Sequence, residues 1–215
     1  MSFYIVEGPN GVGKTTLINA VKEKTKRGEN FKAFSSPGET PLGEMLRPAC
    51  RGVPPWEDLD PKIKFMLFSS VRYDQYVKIA KDSKEICFAD RWWTSTYVYQ
   101  CMYGNIPVPF LEYTIHPEEK IDGIFLLNGN PDLLIKRINK ERKANPQHGK
   151  CAWTQDEESI KKINSIYKNS LPCYLKRKGI NVIEIDVTKL SPQEVQDIVF
   201  KKVEDIENSK KKKHE

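Results

Sequence analysis

The octapeptide Gly8-Pro9-Asn10-Gly11-Val12-Gly13-Lys14-Thr15 meets GxxxxGK[ST] at every fixed position. That spacing suits holding a chain of phosphates. Glycines let the backbone turn sharply and direct successive N–H groups at one anion. A helix opening at Lys14 adds the positive end of its dipole. Lys14 would reach the β- and γ-phosphates of a nucleoside triphosphate, and the Thr15 hydroxyl would ligate magnesium. Gly8, Asn10, Gly11, Val12, Gly13 and Thr16 complete the expected ATP contacts. A glycine-rich turn with an incidental lysine is the plain alternative. The apolar run Phe3-Tyr4-Ile5-Val6 before the motif and the amphipathic stretch after it argue against that. The motif fixes a triphosphate site but no reaction, because hydrolases, switches and kinases share it.

A second candidate pair is Asp90-Arg91, at the end of the apolar run Glu85-Ile86-Cys87-Phe88-Ala89. Ligands of open α/β sheets collect beyond the carboxyl ends of strands. There Asp90 would hold magnesium directly or through water, and Arg91 would grip a second phosphate with its forked donors. In isolation such a pair is more often a surface salt bridge.

The elements that must carry these groups alternate strand and helix, which predicts an α/β fold: three layers with a mainly parallel sheet of about five strands. Strands are expected at Phe3–Val6, Phe31–Phe34, Glu85–Asp90, Gly123–Leu127 and Asn181–Ile185. Helices are expected from Lys14 to about Lys24, Pro61 to about Lys81, Pro131 to about Lys143, and Asp156 to about Lys178. A last helix opens at Ser191-Pro192, with serine as N-cap and proline in the first turn. The polar stretch Asn145–Thr154 reads as a loop.

The 215 residues suit one domain, residues 1–208, and the lysine-rich stretch 209–215 reads as a solvated, unstructured tail rather than a nucleic-acid contact. The net charge of +6 does not choose among anions. No apolar run reaches membrane-spanning length, and Met1–Glu7 reads as a strand rather than a signal peptide. Five scattered cysteines without a CxxC pair fit free thiols in the cytoplasm. His116 and His148 have no ligand partners at useful spacing, so no histidine metal site is expected.

The segment Asp90-Arg91-Trp92-Trp93-Thr94-Ser95-Thr96-Tyr97-Val98-Tyr99-Gln100 resembles, without a gap, the thymidylate kinase motif in which DR and an aromatic lead to a serine and a tyrosine-glutamine pair. Leu67-Phe68-Ser69-Ser70-Val71-Arg72 resembles that family's LFxAxR segment. Pro37-Gly38-Glu39-Thr40 with Gly43-Glu44-Met45-Leu46-Arg47 resembles its PGGT…LR segment. The resemblance implies ATP- and magnesium-dependent phosphorylation of dTMP to dTDP, by a homodimer packed through helices. It implies that Phe68 stacks on thymine and that Arg72 donates to a base carbonyl. Ser95, Thr96 and Gln100 would lie on the acceptor side, with the last two facing the base edge. Tyr99 would sit beside the sugar, and Arg47 and Arg91 would hold the 5′-phosphate. Each assignment suits its side chain. The residues alone also allow Phe68 as core, Arg72 as a solvated helix residue, and Trp92 and Trp93 as packing.

A lid over about residues 142–155 would close on ATP and exclude water. Gly11 stands where one branch of the family carries arginine, which implies a catalytic arginine in the lid: Arg142 first, Arg137 behind it. A basic, merely solubilising helix surface is the alternative. The chain departs from the family pattern at Asn10, where an acid is usual, at Ser35-Ser36, where Arg-Glu is common, at Asn128, often an aspartate, and at Trp93. These leave phosphoryl transfer intact and open the acceptor to other modified deoxypyrimidine monophosphates. Two other readings stay open. A deoxynucleoside kinase would need a carboxylate base, Glu7 or Glu39; a regulatory module would bind nucleotide without turnover.

Overall fold

The structure is a computed structural model that describes residues 2–144 and 156–212. Five parallel strands form one sheet in the order β2-β3-β1-β4-β5: β1 (Ser2–Glu7), β2 (Phe31–Ser35), β3 (Ile86–Asp90), β4 (Gly123–Asn128) and β5 (Val182–Asp186). β1 and β4 are buried along their whole length, as expected of strands covered on both faces. Side chains alternate between two cores. Phe3 and Ile5 pack on one side with Phe34, Trp92, Trp93, Tyr167 and Leu171. Tyr4 and Val6 pack on the other with Leu17, Val21, Phe125 and Val199.

Helix α1 (Lys14–Lys26) and α9 (Pro192–Lys211) cover the second face and contact each other. On the first side lie α3 (Pro61–Gln75), α4 (Trp93–Thr96), α7 (Glu157–Ser165) and α8 (Leu171–Arg177). Three helices run on into π-helical turns, over Tyr76–Ala80, Tyr97–Tyr103 and Ile166–Ser170. α5 (Val108–Thr114) and α6 (Pro131–Ala144) complete the set with α2 (Pro41–Arg51).

Helix α2 is not among the expected elements, and its Pro41, Gly43 and Pro48 are poor helix formers. In fact Pro41 occupies the first turn, where no N–H partner is needed, and the Thr40 side chain accepts from Gly43 N at 3.0 Å as N-cap. Gly43 is required by close approach: a Cβ there would lie 2.7 Å from Gly38 O. Thr40 and Gly43 thereby fix the helix that carries Arg47.

The tail expectation is corrected. α9 stays helical through Lys211, and Lys210 is tied to Asp122 at 2.8 Å, Glu207 at 2.9 Å and the Ser2 hydroxyl at 3.0 Å. Lysines also complement the negative end of a helix dipole. Residues 213–215 lie outside the described residues, as do 145–155, which hold most of the expected lid. Among the described residues no helix is long and apolar enough to cross a membrane.

Candidate active site: one cleft between two sets of cations

Because every strand points the same way, Glu7, Ser35, Asp90, Asn128 and Asp186 emerge along one edge, with Val6 beside Asp90 and Asn128 beside Asp186 in register. A cleft of about 870 Å³ opens above this edge. The phosphate loop forms one wall. Gly8, at φ 148°, leaves no room for a side chain, since a Cβ would meet Leu127 O at 2.3 Å. Gly13, at φ 102°, is the N-cap of α1. Asn10, Gly11, Val12, Lys14, Thr15 and Thr16 face the cleft.

Lys14 is buried, and its Nζ donates to Gly8 O at 2.9 Å and Pro9 O at 2.8 Å. Burial lowers its pKa to about 7, with Arg91 the next cause; Asp90, Glu7 and Glu141 act in the opposite direction. Asp90 Oδ1 is buried with no hydrogen-bond partner among the described residues. A buried carboxylate oxygen of this kind suits a cation. The described residues contain no cluster of three or more His, Cys, Asp or Glu that could hold a metal.

Arg91 adopts the left-handed conformation at φ 69°, an uncommon one for arginine. Its Nη1 donates to Ser95 Oγ at 3.0 Å, Tyr167 OH at 3.1 Å and Glu7 Oε1 at 3.3 Å; its Nη2 donates to Asn10 Oδ1 at 2.6 Å. The guanidinium also lies over the Tyr99 ring, 5.4 Å from its centre.

Another part of the cleft is lined from α2, α3 and α4 with its π-helical continuation. Arg47, Phe68, Arg72, Ser95, Thr96, Tyr99 and Gln100 all reach it. Arg47 donates to Pro37 O. Arg72 is not a solvated helix residue: it is buried, donates through Nη2 to Thr114 Oγ1 at 3.1 Å, and sits 3.8 Å from Glu119. Its Nε and Nη1 are buried and have no hydrogen-bond acceptor among the described residues. Trp92 and Trp93 are core, and Trp92 Nε1 donates to Glu119 at 2.9 Å. From α6, Arg137 and Arg142 border the loop side, with Arg137 Nη1 donating to Gly11 O at 3.4 Å.

The structure thus brings every expected site residue to one cleft except Gly8, which lies beneath the loop. Sequence reasoning missed Glu141 and Arg51, which also line the cleft, and the stretch Val187–Val195 that walls it beside the loop. It gave Glu7 only a provisional role and overlooked Tyr167. Glu7 stands directly before Gly8 at the end of an apolar strand, and an acid in that position was the available signal. Glu7 and Glu39 do not line the cleft. Glu7 is fully buried and accepts from Gly8 N, Thr94, Ser95, Tyr167 and Arg91. Glu39 pairs with Lys22 at 2.7 Å. Neither lines the cleft where a base would meet a substrate hydroxyl, so the geometry gives the nucleoside kinase reading no support.

A parallel sheet whose central strand feeds a phosphate loop, with arginines lining the same cleft, belongs to the P-loop nucleotide-binding class and fits a phosphotransferase. Comparison with known proteins narrows the class. The thymidylate kinase family model matches residues 6–198, and the chain belongs to that family. A thymidylate kinase of Malacoplasma penetrans is 28% identical over 198 residues, covering 87% of this chain and 88% of its own. One from Leptospira borgpetersenii is 30% identical over 175 residues, covering 79% and 81%. The crystal structure of thymidylate kinase from Ehrlichia chaffeensis superposes with a TM-score of 0.65 at 20% identity, over 94% of this chain and 98% of that one, and shares the fold. Family membership makes the chain an enzyme, which sets aside the non-catalytic module.

Proposed function

We propose that the enzyme transfers the γ-phosphoryl group of ATP to dTMP, giving ADP and dTDP. The observation that carries this reading is that Lys14, the phosphate loop, Arg47 and Arg91 all line one cleft. Those two guanidiniums suit an acceptor that already bears a dianionic phosphate. Phe68 offers a ring face for the base, and Arg72 and Gln100 offer donors for its edge.

The residues then have distinct tasks. The loop amides and Lys14 hold the donor's phosphates in line with the acceptor oxygen, and alignment supplies much of the rate. Arg91 and Arg47 fix that oxygen, which is already ionised and needs no base. Arg142 neutralises charge spreading over the transferred group, with Arg137 held closer to the loop. Thr15 and Asp90 would hold magnesium, which when bound offsets charge on the phosphates.

A coupled ADP-release assay over nucleosides and nucleoside monophosphates tests the proposal. Turnover fastest with dTMP supports it; turnover with thymidine and none with dTMP would overturn it. Asn10 favours a second reading, a modified deoxypyrimidine monophosphate as preferred acceptor. Its neutral amide stands where a carboxylate is usual in the family, and the same panel separates the two acceptors.

We also propose a homodimer through α3. Ile63, Met66, Ser70 and Tyr73 are exposed at alternating spacings of three and four, followed by exposed Val77, with Met45 of the adjoining α2 also exposed. That heptad-like stripe is the pattern of a helix seam. The thiols among the described residues, buried Cys50, Cys87 and Cys101 and exposed Cys173, are free, which suits the cytoplasm.

A further inference from the structure

Glu7 is a charged side chain with no exposure, lying just behind the cleft rather than in it. An uncompensated buried carboxylate is costly, and this one is satisfied by a dense set of donors. Gly8 N at 2.9 Å, Tyr167 OH at 2.9 Å and Arg91 Nη1 at 3.3 Å converge on Oε1. Thr94 Oγ1 at 2.7 Å and Ser95 Oγ at 2.8 Å converge on Oε2. Two of these donors, Tyr167 and Ser95, also accept from Arg91 Nη1. The carboxylate therefore grips Arg91 directly and through two hydroxyls.

A guanidinium has five N–H groups. The two on Nη1 are shared among Glu7, Ser95 and Tyr167, and one on Nη2 goes to Asn10. That leaves Nε–H and one Nη2–H without an acceptor among the described residues, donors suited to a phosphate. The left-handed backbone at Arg91 is disfavoured for a residue with a side chain, and it persists only where surroundings enforce it. Tyr167 enters from the far end of the sequence, on the π-helical turn after α7, and is buried against Tyr99.

We propose that Glu7 and Tyr167 are positioning residues that hold the Arg91 guanidinium with its remaining donors directed at the acceptor's phosphate. This deepens the function proposed above and rests on it. Neither residue touches substrate; both act through Arg91. Tyr167→Phe removes one hydroxyl from the network and should raise KM for the acceptor on the order of tenfold, with KM for ATP unchanged within about twofold. Glu7→Gln should act in the same direction and more strongly.

The deciding experiment is a double-mutant cycle with Arg91→Ala, read as kcat/KM for whichever monophosphate the wild type turns over best, so that an error about dTMP itself shows separately in the wild type. If Tyr167 works through Arg91, its loss has no further effect once Arg91 is absent. An equal loss in both backgrounds would overturn the proposal, as would matching rises in both KM values or no change at all. Should Glu7→Gln fail to fold, Tyr167→Phe carries the test alone.

Discussion

Asn10 Oδ1 accepts a hydrogen bond from Arg91 Nη2 at 2.6 Å, so the loop for the donor's phosphates touches the guanidinium assigned to the acceptor. The two are joined by one bond between residues 81 positions apart. Asn10→Ala frees one edge of Arg91 while leaving the backbone amides of the loop in place. The expected result is a loss of roughly tenfold in kcat/KM for the acceptor, with the dissociation constant of ATP unchanged within about twofold. An equal weakening of ATP would mean that Asn10 serves the loop rather than Arg91.

Lys14 gives the site a pH dependence. Its pKa of about 7 in the free enzyme, against an ordinary 10.5, leaves it largely neutral above pH 7. A triphosphate favours the charged form, so ATP binding above pH 7 takes up a proton and weakens as pH rises. Calorimetry at about pH 8.5 in two buffers of different ionisation enthalpy should therefore show uptake that approaches zero near pH 6. Stability follows the same linkage. The unfolded chain binds the extra proton between pH 7 and 10.5, so this group's contribution rises with pH across that window. Wild type should gain stability relative to Lys14→Met between about pH 7 and 9 in urea unfolding. A constant difference would speak against the lowered pKa.

Arg142 and Arg137 can be ranked kinetically. Arg137 Nη1 lies 3.4 Å from Gly11 O, tied to the loop backbone, and the role in charge neutralisation is assigned to Arg142. Arg142→Ala should cost about 10²–10³ in kcat, by analogy with the removal of one preorganised donor. Arg137→Ala should act mainly on ATP binding. The reverse order in single-turnover measurements would exchange their roles.

The α3 stripe makes a prediction about assembly. Met66→Lys and Tyr73→Glu put charges on exposed apolar positions and should leave the fold intact, since surface changes usually alter stability by less than about 0.5 kcal/mol. Light scattering should then show monomer where wild type shows dimer. A mass unchanged from wild type would remove α3 from the interface.

What could be read from the chain depended on sequence distance. Lys14 and Thr15 sit in an octapeptide whose flanking strand and helix are themselves continuous in sequence, so the loop and its setting were legible together. Arg47, Phe68, Arg72 and Arg91 were legible through short motifs, and the sheet joins those motifs at one edge. Tyr167 was not legible: its partner Glu7 is 160 positions away, and nothing near Tyr167 signals a hydroxyl that meets a carboxylate. Helix α2 was hidden for another reason. Its prolines and glycine carry breaker propensities that capping and close packing override. Lys210 resembled its lysine neighbours until Asp122, from before β4, was found beside it.

The anchoring of Lys210 to Ser2 and Asp122 has a practical corollary. Ser2 opens β1 and Asp122 precedes β4, so the last turn of α9 sits at the amino edge of the sheet. The cleft lies at the other edge, about 20 Å away along a six-residue strand. An affinity handle, a fluorophore or a surface attachment joined after α9 would start well clear of the nucleotides, so the enzyme could be immobilised by that end with its entrance facing solution.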